Sequence, residues 1–245
     1  MSLRFHEIAE SRNRILNPVS EHHVALLGEL TGLSAGRRLL DLCCGKGEML
    51  CTWALRHGVH GVGVDISDVF LAAAHARAAE LGVTDQVRFV RGDAARYVAE
   101  PASFDVVSCL GATWIGDGLA GTIELMRPAL RDGGLLLVGE PCWTSPPPQE
   151  VLDAFGFPEE MFTSLPGTLD RFTAAGVELI EMVLADGGSW DRYVAPQWWA
   201  LDEWLRANPD DPDHDGVREF LTRSRRGHLL AREHLGWGVF VLRPA

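Results

Sequence analysis

Apolar runs of strand length alternate along the chain with longer segments of helical periodicity. The segments that predict strands are 37–42, 59–65, 86–94, 103–111, 135–139, 177–185 and 238–242. Those that predict helices are 48–57, 68–81, 118–130, 165–175, 197–207 and 217–235. This alternation is typical of an α/β fold with a mostly parallel sheet.

The segment before the first strand is also helical in pattern. Residues 2–31 predict two helical pieces that break near Asn17, which would cap the second piece, with Pro18 in its first turn.

The first strand leads into a tight glycine turn. Asp41 ends the strand, Gly45 and Gly47 permit positive φ and close approach of a ligand, and a helix begins at Glu48. Such a turn directs backbone N–H groups and a helix N-terminus at a ligand above the strand end.

Acidic residues end the next two strands as well. Asp65 follows the glycine turn by about 20 residues, the spacing of one βαβ unit, and an acid there can accept hydrogen bonds from ribose hydroxyls. Asp93 repeats the pattern one unit later. Together with Asp41 these acids predict an adenosine-binding edge of the sheet, although the ribose acid alone does not distinguish between cofactors.

Several motifs resemble class I S-adenosylmethionine-dependent methyltransferases. Residues 41–47 resemble the first motif of that family, with Cys43 where the first glycine usually stands. Asp93 with Ala94 resembles the third motif, Phe104 with Asp105 the fourth, and 125–134 the Leu-Arg-Pro-x-Leu-x-x-Gly-Gly pattern of small-molecule enzymes. The resemblance implies a Rossmann-like three-layer sandwich whose seven-stranded sheet is mostly parallel with an antiparallel last strand.

The resemblance also implies S-adenosylmethionine as cofactor and methyl transfer as the reaction. It assigns Asp41 to the methionine amino group, Asp65 to the ribose, Asp93 to the adenine amino group and the Ala94 N–H to a ring nitrogen. The full set of expected cofactor contacts is Asp41, Cys43, Gly45, Gly47, Asp65, Ile66, Asp93, Ala94, Cys109, Leu110 and Gly111.

Candidates for acceptor binding are polar or aromatic residues expected near the mouth of the site, although each also suits a solvated helix face or a core position. They are Arg14, Asn17, Trp114, Trp143, Tyr193 and Trp198. If the acceptor needs a base, the candidates are Glu140, His6 and His234, with His228 a weaker fourth.

We expect four parts in the chain. They are an N-terminal helical segment (1–35), a cofactor-binding core (36–185), a helical cap (186–236) inserted where relatives have a hairpin, and a final core strand (237–245). Residues 149–163 would form part of a lid.

Composition narrows the choice of partners. A net charge of -12 on 245 residues disfavours nucleic acid and anionic membrane surfaces, which require clustered Lys and Arg. Five cysteines without framework or metal-ligand spacing predict free thiols, no metal site and a cytoplasmic location.

These observations favour a small-molecule methyl acceptor and leave the oligomeric state open. Two alternatives remain. A nicotinamide-dependent reductase would need a glycine where Leu50 stands, and a non-catalytic cofactor-binding protein would fit the departure at Cys43.

Overall fold

The computed structural model describes residues 2–156, 158 and 161–245. Its centre is a seven-stranded sheet in the order β3-β2-β1-β4-β5-β7-β6. The strands are β1 (Arg38–Leu42), β2 (His60–Asp65), β3 (Val87–Arg91), β4 (Phe104–Leu110), β5 (Leu130–Trp143), β6 (Val177–Leu184) and β7 (Leu235–Pro244). Strands β1 to β5 are parallel, and β7 runs antiparallel to both β5 and β6. The predicted fold is confirmed.

Helices cover both faces of the sheet. Those in the described chain are α1 (Leu3–Ala9), α2 (Glu21–Leu30), α3 (Glu48–His57), α4 (Asp68–Glu80), α5 (Leu119–Met126), α6 (Gln149–Phe155), α7 (Leu165–Ala174), α8 (Gly187–Ala207) and α9 (His214–Ala231). Helices α2, α3 and α4 share one apolar core with Leu39, and α5 and α7 share the other with Leu40. Adjacent residues of β1 thus point to opposite faces of the sheet and pack into different cores, as strand geometry requires.

A third apolar cluster joins α1 to α8 and α9. Its buried members are Ala9, Leu201, Leu205, Val217 and Leu221. Helices α8 and α9 are inserted between β6 and β7, where the helical cap was expected, and they pack on the N-terminal helix.

The expected start of the second helix was wrong. Helix α2 begins at Glu21, and Ser20 caps it by accepting a hydrogen bond from the His23 N–H at 3.3 Å. The His23 ring in turn accepts from the Ser20 N–H, which completes a capping box. Asn17 and Pro18 therefore lie before the helix.

The boundaries of the inserted helices also differ from prediction. Helix α8 begins at Gly187 instead of residue 197, because Asp186 caps it and Pro196 is accommodated inside the helix. A proline there removes one main-chain hydrogen bond, which breaks the sequence pattern without ending the helix. Helix α9 ends at Ala231, and β7 begins at Leu235, three residues before the predicted strand.

The order of the strands places a crevice between β1 and β4. The chain moves outward from β1 to β3 and then returns to β4, which makes this a topological switch point.

Leu50 stands at the position where a dinucleotide-binding fingerprint has glycine. It is fully buried in α3, and its Cδ2 lies 2.9 Å from where a Cβ on Gly61 would be. No described helix is both long and apolar enough to span a bilayer.

Candidate active site

A cavity of about 1440 Å³ lies above the carboxyl ends of the central strands. Its floor is the crevice between β1 and β4, and its opposite wall is the N-terminal segment, which we define as residues 2–20, together with α8. Ligands of open α/β sheets bind at this edge.

The glycine loop, residues 43–47, contributes Cys43, Cys44, Gly45 and Lys46 to the cavity lining. Cys43 has φ +61°, Gly45 +54° and Gly47 +67°, so the cysteine adopts the left-handed conformation that suits a glycine. A Cβ on Gly45 would lie 2.7 Å from Leu16, and one on Gly47 2.6 Å from the Phe89 ring. The loop must therefore keep these two glycines to bring its backbone this close to its neighbours.

Two buried carboxylates lie next to this loop. Asp41 accepts a 2.7 Å hydrogen bond from the Ser108 hydroxyl, and burial raises the pKa of Asp41 to about 7. Asp65 accepts from the Gly45 N–H at 2.8 Å and from the Ser67 N–H at 2.9 Å. Asp65 thus fixes the glycine loop as well as presenting its carboxylate to the cavity.

The far side of the floor carries the residues expected at adenine. Ile66 is 54% exposed and lines the cavity, where an apolar side chain can cover one face of a base. Asp93 accepts from the Ala95 N–H at 3.0 Å, and Ala94 is buried beside it. All three line the cavity with Asp65.

Glu140 lies at the other end, near Gly111. The Thr113 hydroxyl donates to the Glu140 carboxylate at 2.7 Å, and burial raises the pKa of Glu140 to about 7. A Cβ on Gly111, whose φ is +73°, would collide with Asn17 Oδ1, and Trp237 Cζ2 lies 3.9 Å from that position. The glycine therefore brings the backbone at the end of β4 into contact with the Asn17 side chain.

The other predicted residues on the cavity wall are Leu110, His6, Arg14, Trp114 and Tyr193. Burial lowers the pKa of His6, whose ring packs edge-on against Phe70 at 5.3 Å between centroids. Trp114 is 73% exposed at the cavity mouth.

Five predicted site residues lie away from the cavity lining. Cys109 faces the α5 side of the core, and Gly47 packs against Phe89. Trp143 packs on Phe162 with rings 5.8 Å apart, and Trp198 donates to Ser224 between α8 and α9. The imidazole of His234 is hydrogen-bonded to Ser145 at 2.8 Å.

The fourth candidate base, His228, is paired with Asp191 at 3.0 Å and does not line the cavity. The same cause keeps His228, His234, Trp143 and Trp198 away from the cavity. Their positions depend on how α8, α9 and the end of β5 pack, which short-range sequence patterns do not specify.

The cavity lining also contains polar residues outside the predicted set of site residues. Glu10 is 1% exposed and accepts hydrogen bonds from the Tyr193 hydroxyl at 2.8 Å and from Gln197 at 3.1 Å. Burial raises the pKa of Glu10 to about 7. The ammonium of Lys46 donates to the main-chain oxygen of Glu10 at 2.6 Å. Lys46 carried a signal, since it lies inside the glycine motif, whereas Glu10 looked like any polar residue of a helix.

Comparison with known proteins agrees with this geometry. A family model described as a methyltransferase domain matches residues 39–134. A solved S-adenosylmethionine-dependent methyltransferase from Geobacter sulfurreducens, in complex with S-adenosyl-L-homocysteine, is 46% identical, with a TM-score of 0.95 over 100% of this chain and 99% of that one. The chain is a class I S-adenosylmethionine-dependent methyltransferase.

Two further relatives are similar in sequence. The uncharacterized protein YjhP of Escherichia coli is 46% identical to this methyltransferase over 98% of this chain and 97% of its own length. A sterol 24-C-methyltransferase, ERG6B of Gibberella zeae, is 27% identical over 75% of this chain and half of its own length.

The cofactor of the methyltransferase is therefore S-adenosylmethionine, and the nicotinamide alternative is set aside. The residues that line the cavity fit this cofactor, because the floor combines glycines that permit close approach, two buried carboxylates at the ends of β1 and β2, and the N-terminus of α3. Among the described residues, no group of three or more His, Cys, Asp and Glu side chains is placed to hold a metal ion.

Proposed function

We propose that the methyl acceptor is a small molecule bound in the same cavity, beside the cofactor. Binding pockets for ligands of drug size occupy roughly 300–1000 Å³, so a cavity of about 1440 Å³ leaves room for an acceptor. Aromatic and apolar side chains line much of the wall: Ile15, Leu16, Trp114, Phe162, Trp190, Phe220 and Trp237. This lining suits an acceptor with a substantial apolar part.

In this proposal the cofactor lies along the floor of the cavity. Asp41 binds the methionine amino group, the glycine loop lies under the methionine part, Asp65 binds the ribose, and Ile66, Asp93 and Ala94 surround the adenine. Gly111 and Leu110 then border the sulfonium. When bound, S-adenosylmethionine supplies an already activated methyl group, so the protein mainly has to position the acceptor and exclude water.

Glu140 is the residue that we assign as general base. Its carboxyl lies at the Gly111 end of the cavity and is oriented by Thr113, and its pKa of about 7 is close to working pH, where a base is most effective. The ionised carboxylate would accept the proton that an acceptor hydroxyl or protonated amine loses. His6 is less suited to this role, because the charged groups that influence it are Asp65, Glu7 and Lys46 near the ribose position.

The assignment is tested by methyl transfer from labelled S-adenosylmethionine to three fractions of a cell extract: small molecules, protein and nucleic acid. Sterols are a first defined probe, because ERG6B is a sterol methyltransferase by name. We expect label in the small-molecule fraction. Label confined to protein or nucleic acid would contradict the proposal, and no transfer to any fraction, despite tight S-adenosylhomocysteine binding, would favour the non-catalytic alternative.

The second test is the Glu140→Gln variant. Loss of a general base lowers kcat by roughly 100-fold or more, and the rise of activity with pH through about 7 disappears because Gln does not titrate. Glu178→Gln, at an exposed site on β6, is the matched control and should keep the wild-type profile. An unchanged pH profile in Glu140→Gln would contradict the role of this residue.

Cys43 gives little support to the non-catalytic alternative. The cysteine takes the positive φ that a glycine would have, so the loop keeps its shape despite the departure from the family motif.

A further inference from the structure

Lys46 joins the glycine loop to the N-terminal segment. Its ammonium donates to the main-chain oxygens of Glu10 and Asn13, both at 2.6 Å, and lies 3.4 Å from that of Ser11. These carbonyls belong to the turn that follows α1, where carbonyl groups lack partners within the helix. A cation at this end is also favoured by the helix dipole.

Glu10 extends the connection to the cap helix α8. Its carboxylate accepts from the Tyr193 hydroxyl, from Gln197 and, at 2.8 Å, from the Asn13 amide. The same Asn13 amide donates to the Tyr193 main-chain oxygen at 2.9 Å. Because a buried polar group without a partner is costly, movement of one member leaves the others unsatisfied. The N-terminal segment and this part of α8 are therefore held together.

A separate hydrogen bond fixes the N-terminal segment on the ribose side. Ser67 lies two residues after Asp65, and its hydroxyl donates a hydrogen bond to the Glu7 carboxylate at 2.6 Å. The segment is thus attached on both sides of the proposed cofactor position, by Ser67 and by Lys46.

We propose that Lys46 is a positioning residue that couples cofactor binding to closure of the N-terminal segment and α8 over the acceptor chamber. A cofactor that orders the glycine loop also fixes the backbone that carries Lys46. The Glu10 carbonyl and carboxylate then hold the segment and Tyr193 in the closed arrangement. Cofactor that binds first then secures this closed arrangement, so the acceptor chamber is more rigid with cofactor bound than without it.

Hydrogen–deuterium exchange of the full chain, with and without S-adenosylhomocysteine, tests this coupling. In the wild type we expect the ligand to slow exchange in residues 2–20 and 187–207 as well as in the glycine loop. In Lys46→Met we expect the ligand to slow exchange at the loop only. Its affinity should fall by roughly tenfold, about 1.4 kcal/mol.

The dependence on ligand separates coupling from a merely structural role. A structural lysine would change exchange equally in free and bound protein and leave the ligand-induced difference intact. Lys46→Arg, which keeps charged donors, should restore much of the difference.

The matched control is Glu203→Gln. It removes an exposed ion pair, at 2.7 Å with Arg12, between the same segment and the same helix but outside the cavity. In this variant we expect the same ligand-induced protection of residues 2–20 and 187–207 as in the wild type.

Three results would overturn the proposal: equal ligand-induced protection in Lys46→Met and wild type, loss of protection in Glu203→Gln, or no protection of 2–20 in the wild type. If Lys46→Met does not fold, Tyr193→Phe removes only the hydroxyl and should abolish the ligand-induced protection of residues 187–207.

Calorimetry on the wild type distinguishes failure of the proposed coupling from failure of the proposed cofactor site. S-adenosylhomocysteine that binds without protecting 2–20 refutes the coupling alone, and absence of binding refutes the site.

Discussion

At the scale of single residues, the buried carboxyls at the strand ends differ in their surroundings. Asp65 already accepts two backbone hydrogen bonds, whereas Asp41 accepts one from a hydroxyl and has a raised pKa. A cationic amino group beside Asp41 would stabilise its ionised form, which is consistent with the place that we propose for the methionine end of the cofactor.

Replacing Asp65 by alanine should weaken S-adenosylhomocysteine binding by about 1–3 kcal/mol, because the ribose hydroxyls and the Gly45 N–H lose their acceptor. Calorimetric titration measures this loss. Asp68→Ala, three residues along the chain and engaged in an exposed ion pair with Arg91, is the control and should bind normally. Equal affinity of the two variants would rule out the ribose assignment.

At the scale of elements, the strand–turn–helix unit around the glycine loop was predicted closely. Asp41 is the penultimate residue of β1, helix α3 runs over Glu48–His57 as expected, and Ser67 caps α4. These features depend on residues only a few positions apart, so the local pattern was sufficient to locate them.

Cys43 gives a test of the conformation of this unit. A left-handed φ costs an L-residue about 1–2 kcal/mol, and glycine costs roughly 0.5–1 kcal/mol in chain entropy, so Cys43→Gly should stay within about 1 kcal/mol of wild-type stability. Cys43→Val should lose about 1–3 kcal/mol, because a β-branched residue at positive φ is strained. Urea denaturation compares them, and equal stability of the two variants would contradict the observed backbone conformation.

Helix α8 shows where an element could not be predicted. Pro196 and the two glycines at the start of α8 are residues that disfavour a helix. The whole stretch is helical only because Asp186 caps it and because it packs against α1 and α9. Tyr193 and Gln197, which reach Glu10, lie on this helix.

At the scale of the whole molecule, three buried acids give the protein an unusual pH dependence. Burial raises the pKa of Glu10, Asp41 and Glu140 to about 7. A raised folded-state pKa contributes stability that is present below the unfolded pKa and is lost as pH rises through the folded pKa. Acids with lowered pKa values, such as the half-buried Asp191, affect stability only below their ordinary pKa.

The free energy of unfolding without ligand should therefore fall as pH rises from about 5 to 8. Burial lowers the pKa of His6, which acts in the opposite direction near its ordinary pKa, but one histidine opposes three acids. Urea denaturation across this range measures the slope. An Asp41→Asn, Glu140→Gln double variant should flatten it, and a stability that rises with pH in the wild type would contradict the assigned pKa shifts.

The sequence by itself determined the sheet, the glycine loop, the strand-end acids and, through their resemblance to a family, the cofactor. Spacing within βαβ units dictates these features, because each strand end is followed by its own turn and helix. Only the tertiary structure decided which distant side chains meet in the cavity. Glu10 and Tyr193 are 183 positions apart, and they meet because α1 packs against α8. Packing likewise turned Trp143, Trp198 and His234 away, since apolar burial and hydrogen bonding with their own neighbours satisfied them elsewhere.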